Sequence, residues 1–295
     1  MTGPSTNAWK LAARPHTLWA AVAPVIVGAG LALGDDQIRL DALVATLVGA
    51  LAIQVAANFA NDASDAKRGA DSESRIGPTR VVASGLLTSR QIWTGAWIAF
   101  GVAALAGVYL TIISSWIILA VGVASIIATL TYVGGPIPYG YRGLGELFVF
   151  VFFGLAATVG SRYVHSGSAP LNAWLLAIPI GFMVTAILVA NNVRDIDGDR
   201  EAGKRTLAVM LGRARSIRLF AWLVYGSFIV IAVFALLGVA PRLSALALLA
   251  TPLARPLVHA LSSTVDGPAL VDVLQGTARL HVVVALGLAI GAGLS

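Results

Sequence analysis

The sequence predicts an all-α membrane protein of about nine transmembrane helices, and three observations support this prediction. Of the 295 residues, 58% are hydrophobic and only 12% are charged, which is about half the charge of a soluble domain. Apolar stretches of about 20 residues, the length that spans a bilayer, recur along the whole chain. No charge occurs from Gln91 to Tyr141. These patterns exclude a soluble globular fold and a disordered chain, and the absence of cysteine excludes a disulfide-linked secreted domain.

The predicted helices form a single polytopic membrane domain that covers residues 1–295. Each corresponds to one apolar stretch, and they are placed at residues 17–34, 41–61, 91–111, 114–133, 145–164, 172–193, 217–238, 243–261 and 275–294. Pro252, Arg255 and Pro256 interrupt the eighth stretch.

The charges of the loops predict the orientation of the chain in the membrane. With the N-terminus in the cytoplasm, the inner loops carry 17 of the 20 Lys and Arg residues, and the exceptions are Arg39, Arg162 and Arg242. This asymmetry follows the positive-inside rule, so the basic excess indicates a multi-pass protein of the cell (inner) membrane rather than a nucleic-acid partner. Arg162 lies close to a predicted helix end, where we expect its side chain to snorkel out.

Sixteen of the 34 charges fall in two short segments, residues 62–80 and 194–205. These segments lie in two inner loops, predicted at residues 62–90 and 194–216, after the second and sixth helices. The first cluster contains Asn58, Asp62 and Asp65, and the second contains Asn191, Asp195 and Asp199. At these spacings each set lies on one face of a helix. We therefore expect two similar half-bundles whose acidic faces are turned toward each other on the cytoplasmic side.

Carboxylates at helical spacing repel one another and are costly beside hydrocarbon. A divalent cation resolves both problems, because Mg²⁺ binds one or two carboxylates together with substrate phosphates. Two facing clusters predict two Mg²⁺ ions that bridge one diphosphate. Basic residues after each cluster are expected to neutralise the remaining phosphate oxygens, namely Lys67, Arg68, Arg75, Arg80, Lys204 and Arg205. The alternative is a pair of solvated loops of mixed charge, which explains poorly why Asn and Asp recur at helical spacing in both halves.

The two clusters resemble the acidic motifs of the UbiA-type intramembrane prenyltransferases, which have the general form Asn-x₃-Asp-x₃-Asp and end helices 2 and 6 of a nine-helix bundle. The second cluster matches this form, but the first departs from it, because Ala66 stands where the last acid is expected and Asp65 precedes it. That variant resembles the 1,4-dihydroxy-2-naphthoate prenyltransferase (MenA) branch of menaquinone synthesis. Four further stretches of sequence also resemble this branch, at residues 14–18, 54–80, 134–146 and 203–209.

The resemblance implies Mg²⁺-dependent transfer of a polyprenyl group from a polyprenyl diphosphate to 1,4-dihydroxy-2-naphthoate, with loss of CO₂. It implies metal binding by Asp62, Asp65, Asp195 and Asp199. Arg14, Asn58, Tyr132, Asn191 and Asn192 are expected to join the basic residues in substrate binding. Tyr132, Tyr139 and Tyr141 are candidates to shelter an allylic cation, although an interfacial aromatic belt explains them equally well. Arg142 is expected either to contact an anionic group of a substrate or only to mark the inner loop.

Three other classes of protein remain as alternatives. Another aromatic prenyltransferase of the same superfamily, of the 4-hydroxybenzoate or haem O type, is the nearest. A CDP-alcohol phosphotransferase has its acids in one contiguous motif, whereas here they are divided between two halves. A secondary transporter also has repeated halves, but its site lies near the bilayer midplane rather than at one face.

Overall fold

The computed structural model describes residues 6–67, 80–134 and 138–295. Within these residues the secondary structure is entirely helical. The helices are α1 Thr6–Ala13, α2 Trp19–Gly34, α3 Leu40–Lys67, α4 Ser89–Ile113, α5 Trp116–Val133, α6 Gly145–Ser166, α7 Leu171–Arg194, α8 Ile196–Glu201, α9 Leu207–Leu211, α10 Arg213–Leu237, α11 Arg242–Ser263 and α12 Gly267–Gly293. Short 3₁₀ turns lie at Pro15–Thr17 and Tyr139–Arg142.

Eight of the described helices are long and apolar enough to cross a membrane. The pair Thr6–Thr17 and Trp19–Gly34 passes the same test together, with a bend of 49° between its two parts, and makes up to nine spans. The predicted fold class, an all-α membrane protein of about nine transmembrane helices, is therefore confirmed.

Two predicted boundaries are wrong. α3 continues to Lys67, so Asp62 and Asp65 belong to the helix and not to a loop that begins at residue 62. Their polar partners, described below, stabilise the helix beyond the point where its apolar residues end. α12 begins at Gly267 rather than at residue 275, because the Asp266 side chain accepts a hydrogen bond from the Ala269 N–H and caps the first turn.

The second motif loop, predicted at residues 194–216, also contains regular structure. α8 and α9 lie within it, and α10 begins at Arg213. Thr206 caps α9 by accepting a hydrogen bond from the Val209 N–H. The loop is thereby a folded cap on the end of the bundle.

The helices pack as two bodies that flank a central cavity. The larger body is built around α7, the most enclosed of the described spans, together with α2, α10, α11 and α12. The smaller body contains the α3–α4 pair, with α1 and residues 81–87 packed on the end that carries the first acidic motif. The first acidic motif belongs to the smaller body and the second to the larger one, so the cavity lies on the seam between them.

The first half of α11, Arg242–Leu253, is a 3₁₀ helix, which is long for this type of structure. A 3₁₀ helix places every third residue on one line, and its buried residues Ser244, Ala247 and Ala250 follow that period. This stripe of small side chains packs against α12, where a Cβ on Gly291 would overlap the Leu243 carbonyl group. Close backbone contact of this kind is typical of helix pairs in lipid.

The expectation that Arg162 snorkels out of the membrane is wrong. Its side chain is only 2% exposed, and it donates hydrogen bonds to Asp35 and to Gln37, the latter at 2.8 Å. The α2–α3 connection therefore folds over this guanidinium group and neutralises it. The ion pair between Arg162 and Asp35 joins the end of α6 to the α2–α3 connection, at the end of the bundle opposite the acidic motifs.

The α11–α12 contact predicts a large effect at Gly291. We expect Gly291→Leu to lower the free energy of unfolding by about 1–3 kcal/mol, because the added atoms force the two backbones apart. Gly101→Leu is the matched control, since Gly101 is exposed, a Cβ there meets no heavy atom within 4 Å, and leucine favours a helix. Thermal unfolding in detergent checks the pair, and equal melting temperatures for the two variants would contradict this packing.

Candidate active site

Asp62 is the most deeply buried carboxylate of the first motif, with 1% exposure. Its two oxygens accept hydrogen bonds from the backbone N–H groups of Val81 (3.3 Å) and Val82 (3.0 Å). The guanidinium group of Arg14 lies 3.8 Å from it. The two amides and the arginine offset part of the cost of burying this carboxylate at the end of an apolar helix.

Asp65, one turn further along α3, collects donors from three separate segments. Arg80 donates to Oδ2 at 2.8 Å, while the Tyr141 hydroxyl (2.7 Å) and the Lys204 ammonium (2.8 Å) both donate to Oδ1. These partners precede α4, lie between α5 and α6, and follow α8. The carboxylate thus joins distant parts of the chain at one point.

Lys204 connects the two acidic motifs. Its Nζ atom lies 2.8 Å from Asp65 and 3.3 Å from Asp199, and 4.8 Å from the centre of the Tyr141 ring. Burial raises the pKa of Asp199 to about 6, although the charge of Lys204 opposes this shift. Burial lowers the pKa of Lys204, but the charges of Asp65 and Asp199 raise it by more, so the ammonium form is favoured.

The second motif keeps its four-residue spacing across the end of α7. The Asp195 N–H donates to the Asn191 carbonyl group and the Asp199 N–H donates to that of Asp195, at 3.1 and 2.8 Å. Arg194 donates to both oxygens of Asp195, at 2.8 and 2.6 Å, and to the Asn191 side-chain oxygen at 2.9 Å. Asn191, Asp195 and Asp199 therefore follow one another at successive helical turns, as predicted.

Asn58 fixes the elbow between α1 and α2. Its side-chain amide donates to the Ala13 carbonyl group (2.8 Å) and to the Thr17 hydroxyl (2.9 Å). The elbow includes Arg14, whose φ of 50° lies in the left-handed region that few non-glycine residues adopt. The amide thereby holds Arg14 in place beside Asp62.

Aromatic residues form a second layer beside the motifs. The rings of Tyr132 and Tyr139 meet edge to face at 5.4 Å, and Tyr139 stacks on Phe148 at 3.9 Å. The Tyr139 hydroxyl donates to the Ala128 carbonyl group, and burial raises the pKa of this phenol. All three rings line the cavity, with their positions fixed by packing.

The cavity has a volume of about 340 Å³ and changes character along its length. Its polar end is lined by Arg14, Asn58, Asn61 and Asn191. It continues past the aromatic layer to an apolar end at Leu110, Ile118 and Val164. A second depression, of about 650 Å³, lies at the surface beside Lys204 and is lined also by Tyr141, Arg142 and Arg205. Such an arrangement suits a molecule with an anionic head and a long apolar tail.

The structure brings most of the predicted site residues to this end of the bundle. Those in the contacts above are Arg14, Asn58, Asp62, Asp65, Arg80, Tyr132, Tyr139, Asn191, Asp195, Asp199 and Lys204. Arg142 and Arg205 are exposed at the surface depression, and Lys67 is exposed at the last position of α3. Arg68 and Arg75 lie outside the described residues.

Asn192 lies apart from the other asparagines of the motifs. Its amide donates to the buried Glu146 of α6 at 3.0 Å, so it positions α6 against α7. No role was expected from the sequence for Glu146, for Arg194 or for the amides of Val81 and Val82. Tyr141 was expected only to shelter a cation, whereas its hydroxyl group donates a hydrogen bond to Asp65. Backbone amides carry no signal in the sequence.

The described residues contain no group of three or more His, Cys, Asp or Glu side chains close enough to hold a metal ion alone. The donor set nevertheless fits Mg²⁺. Carboxylate oxygens of Asp65 and Asp199 both lie within 3.3 Å of one nitrogen atom, so one small cation can reach both. Mg²⁺ prefers such oxygen ligands and completes its shell with water and substrate phosphates.

The fold and the site define an all-helical integral membrane protein with an acidic and basic site at one end of a mainly apolar cavity. The model of the UbiA prenyltransferase family matches residues 21–268. The chain belongs to the UbiA prenyltransferase family.

Similar proteins support this family assignment. A Mycobacterium leprae protein named 1,4-dihydroxy-2-naphthoate octaprenyltransferase is 39% identical over 95% of this chain and 94% of its own length. An Escherichia coli protein of the same name is 36% identical over 96% of this chain and 95% of its own length. The resemblance to this family inferred from the motifs is therefore confirmed.

The fold also matches solved structures. A UbiA homolog from Archaeoglobus fulgidus bound to DMAPP and Mg²⁺ superposes with a TM-score of 0.70 at 15% identity, covering 96% of this chain and 97% of that chain. A UbiA homolog from Aeropyrum pernix gives a TM-score of 0.68 at 15% identity, covering 91% of this chain and 96% of that chain. At these identities the likeness concerns the fold.

The elbow predicts a stability effect at Asn58. We expect Asn58→Ala to lower the free energy of unfolding by about 1–3 kcal/mol, because it leaves the Ala13 carbonyl group and the Thr17 hydroxyl without this donor. Cleavage by protease near residues 14–18 should become faster. Asn7→Ala, at an exposed position of α1, is the control. Unchanged melting and proteolysis of Asn58→Ala would show that the elbow does not depend on this amide.

Proposed function

We propose that this protein transfers a polyprenyl group from a polyprenyl diphosphate to 1,4-dihydroxy-2-naphthoate, with loss of CO₂, and forms demethylmenaquinol in menaquinone (vitamin K₂) biosynthesis. The names of relatives that are 36–39% identical over at least 95% of this chain support the reaction. The observation that carries the proposal is the cavity itself, which is polar and cationic at one end and apolar at the other.

In this proposal the diphosphate head binds at the two acidic motifs and the prenyl tail lies in the apolar part of the cavity. Mg²⁺ would be held by the four carboxylates of the motifs, Asp62, Asp65, Asp195 and Asp199. We propose two ions, which would neutralise charge on the departing diphosphate. Arg14, Arg80 and Lys204 lie within reach of the same place and would bind the remaining phosphate oxygens. Arg142 and Arg205, exposed at the surface depression, would attract anionic substrates.

The reaction breaks the bond between the allylic carbon and the diphosphate oxygen, and the diphosphate leaves with the electron pair. The rings of Tyr132, Tyr139 and Phe148 face the cavity at this level and would stabilise the allylic cation through their π electrons. An electron-rich carbon of the dihydroxynaphthoate ring then forms the new C–C bond. The bond between the ring and its carboxylate breaks, CO₂ leaves, and the electron pair of that bond stays in the ring and restores its aromaticity. Fixed aromatic walls exclude water, and they hold the two reactants together so that the step is effectively unimolecular.

The proposal is tested by transfer assays with the purified full-length protein in detergent. With Mg²⁺ and a polyprenyl diphosphate, we expect a prenylated, decarboxylated product from 1,4-dihydroxy-2-naphthoate, detected by mass spectrometry. Chelation with EDTA should abolish the reaction and added Mg²⁺ should restore it. Product from 4-hydroxybenzoate alone would instead indicate the other aromatic branch, and no product from either acceptor would contradict an enzyme of this kind.

A matched pair of variants locates the site within this assay. Asp62→Asn should lower the rate by about 100-fold or more, because it removes a charge aimed at the metal and diphosphate. Asp197→Asn makes the same change at a carboxylate that is 83% exposed and pairs with Arg200, so we expect near-normal activity. Equal rates for the two variants would place the site elsewhere.

We also propose that the acidic motifs lie on the cytoplasmic side of the cell membrane, with the N-terminus in the cytoplasm. Because the chain has no cysteine, single substitutions can be labelled from either side. In intact cells a membrane-impermeant maleimide should label Ser168→Cys, in the α6–α7 connection, but not Glu201→Cys at the end of α8. Both positions are exposed, and the reverse labelling pattern would invert the topology.

A further inference from the structure

Lys204 occupies the space that a metal bridging the two motifs would need. Its ammonium group touches Asp65 of α3 and Asp199 of α8, which lie in different bodies of the bundle. Both carboxylates are buried, and two such groups repel each other in the absence of a cation. Lys204 is therefore the counter-ion that allows both carboxylates to remain charged side by side.

The surroundings of Lys204 allow it to leave. Its side chain is 11% exposed. It follows Gly203, whose φ of 70° marks a tight turn, and the turn lines the surface depression of about 650 Å³. A lysine side chain is a flexible stem with a point charge. Asp62 differs in this respect, because its hydrogen bonds come from backbone amides that cannot withdraw independently.

Resting on the proposed function, we propose that Lys204 is a tethered counter-ion that joins the two motifs before loading and is displaced from Asp65 and Asp199 when a divalent cation binds. The displaced ammonium group turns into the surface depression, where it is free to bind an oxygen of the diphosphate. Lys204 thus competes with the metal first and assists the substrate afterwards.

This competition predicts opposite effects of one substitution on two measurements. Lys204→Met should bind Mg²⁺ more tightly than the unaltered protein, because no tethered cation has to be displaced. The same variant should transfer prenyl groups more slowly, because a phosphate contact is lost. If Lys204 had a merely structural role, its substitution would lower both the affinity for Mg²⁺ and the rate of prenyl transfer.

The test measures the melting temperature of the full-length protein in detergent at increasing Mg²⁺ concentrations, without substrates. Without metal, Lys204→Met should melt at a lower temperature than the unaltered protein, since Asp65 and Asp199 repel each other. The Mg²⁺ concentration that gives half of the stabilisation should fall by about 10-fold. Lys204→Arg, which keeps the charge, should stay near the unaltered value, and so should Lys10→Met at an exposed position of α1.

Chemical labelling of the unaltered protein tests the same proposal without a substitution. The chain has three lysines, Lys10, Lys67 and Lys204, so mass spectrometry can follow the acetylation of each. Saturating Mg²⁺ should accelerate acetylation of Lys204 several-fold, because its ion pairs are broken, and should leave Lys10 unchanged. This measurement decides the question if Lys204→Met does not fold.

The outcomes separate the counter-ion proposal from the proposed function. If Mg²⁺ stabilises the protein and EDTA abolishes transfer, but Lys204→Met has an unaltered Mg²⁺ midpoint and Lys204 acetylation does not respond, the counter-ion proposal is wrong and the function stands. If Mg²⁺ neither stabilises the protein nor supports transfer, the metal-dependent function fails and the counter-ion proposal fails with it.

Discussion

The arrangement of the end of the bundle that carries the acidic motifs depends on one constraint, the cost of placing carboxylates at the end of apolar helices. Asp62 and Asp65 are buried in the last turns of α3, where an uncompensated charge is strongly destabilising. Their donors come from the elbow before α2, the segment before α4, the turn between α5 and α6, and the turn after α8. Compensating these two charges therefore draws four distant segments together, and one of the compensating groups, Arg14, also lines the polar end of the cavity.

The compensating groups differ in how easily they can be replaced. Backbone amides hold Asp62 within the folded chain, whereas a flexible ammonium group holds Asp65 and Asp199. Asp62 consequently contributes to the architecture even when no ligand is bound. In the counter-ion proposal, Asp65 and Asp199 keep part of their binding capacity for an incoming cation. A site that must be stable when empty and still accept a charged ligand needs both kinds of compensation.

Hydropathy was sufficient to predict the number and order of the spans, because each helix needs an apolar length set by the bilayer. Residue spacing was sufficient to predict that Asn191, Asp195 and Asp199 share a face. Spacing along one helix says nothing about a partner 139 residues away, so the bridge from Lys204 to Asp65 was not predictable. The burial of Arg162 was missed for the same reason, since its partner Asp35 lies 127 residues earlier in the chain.

The seam between the two bodies explains why the site lies where it does. The first motif is anchored in the α3–α4 body and the second in the body around α7, so a ligand that touches both motifs must span the seam. The cavity follows that seam from Asn58 and Asn191 toward Ile118 and Val164. Under the proposed function, a lipid-like substrate would bind there with its charged head between the motifs and its tail among apolar side chains. Under the proposed function, a head group bound to both motifs would also hold the two bodies together.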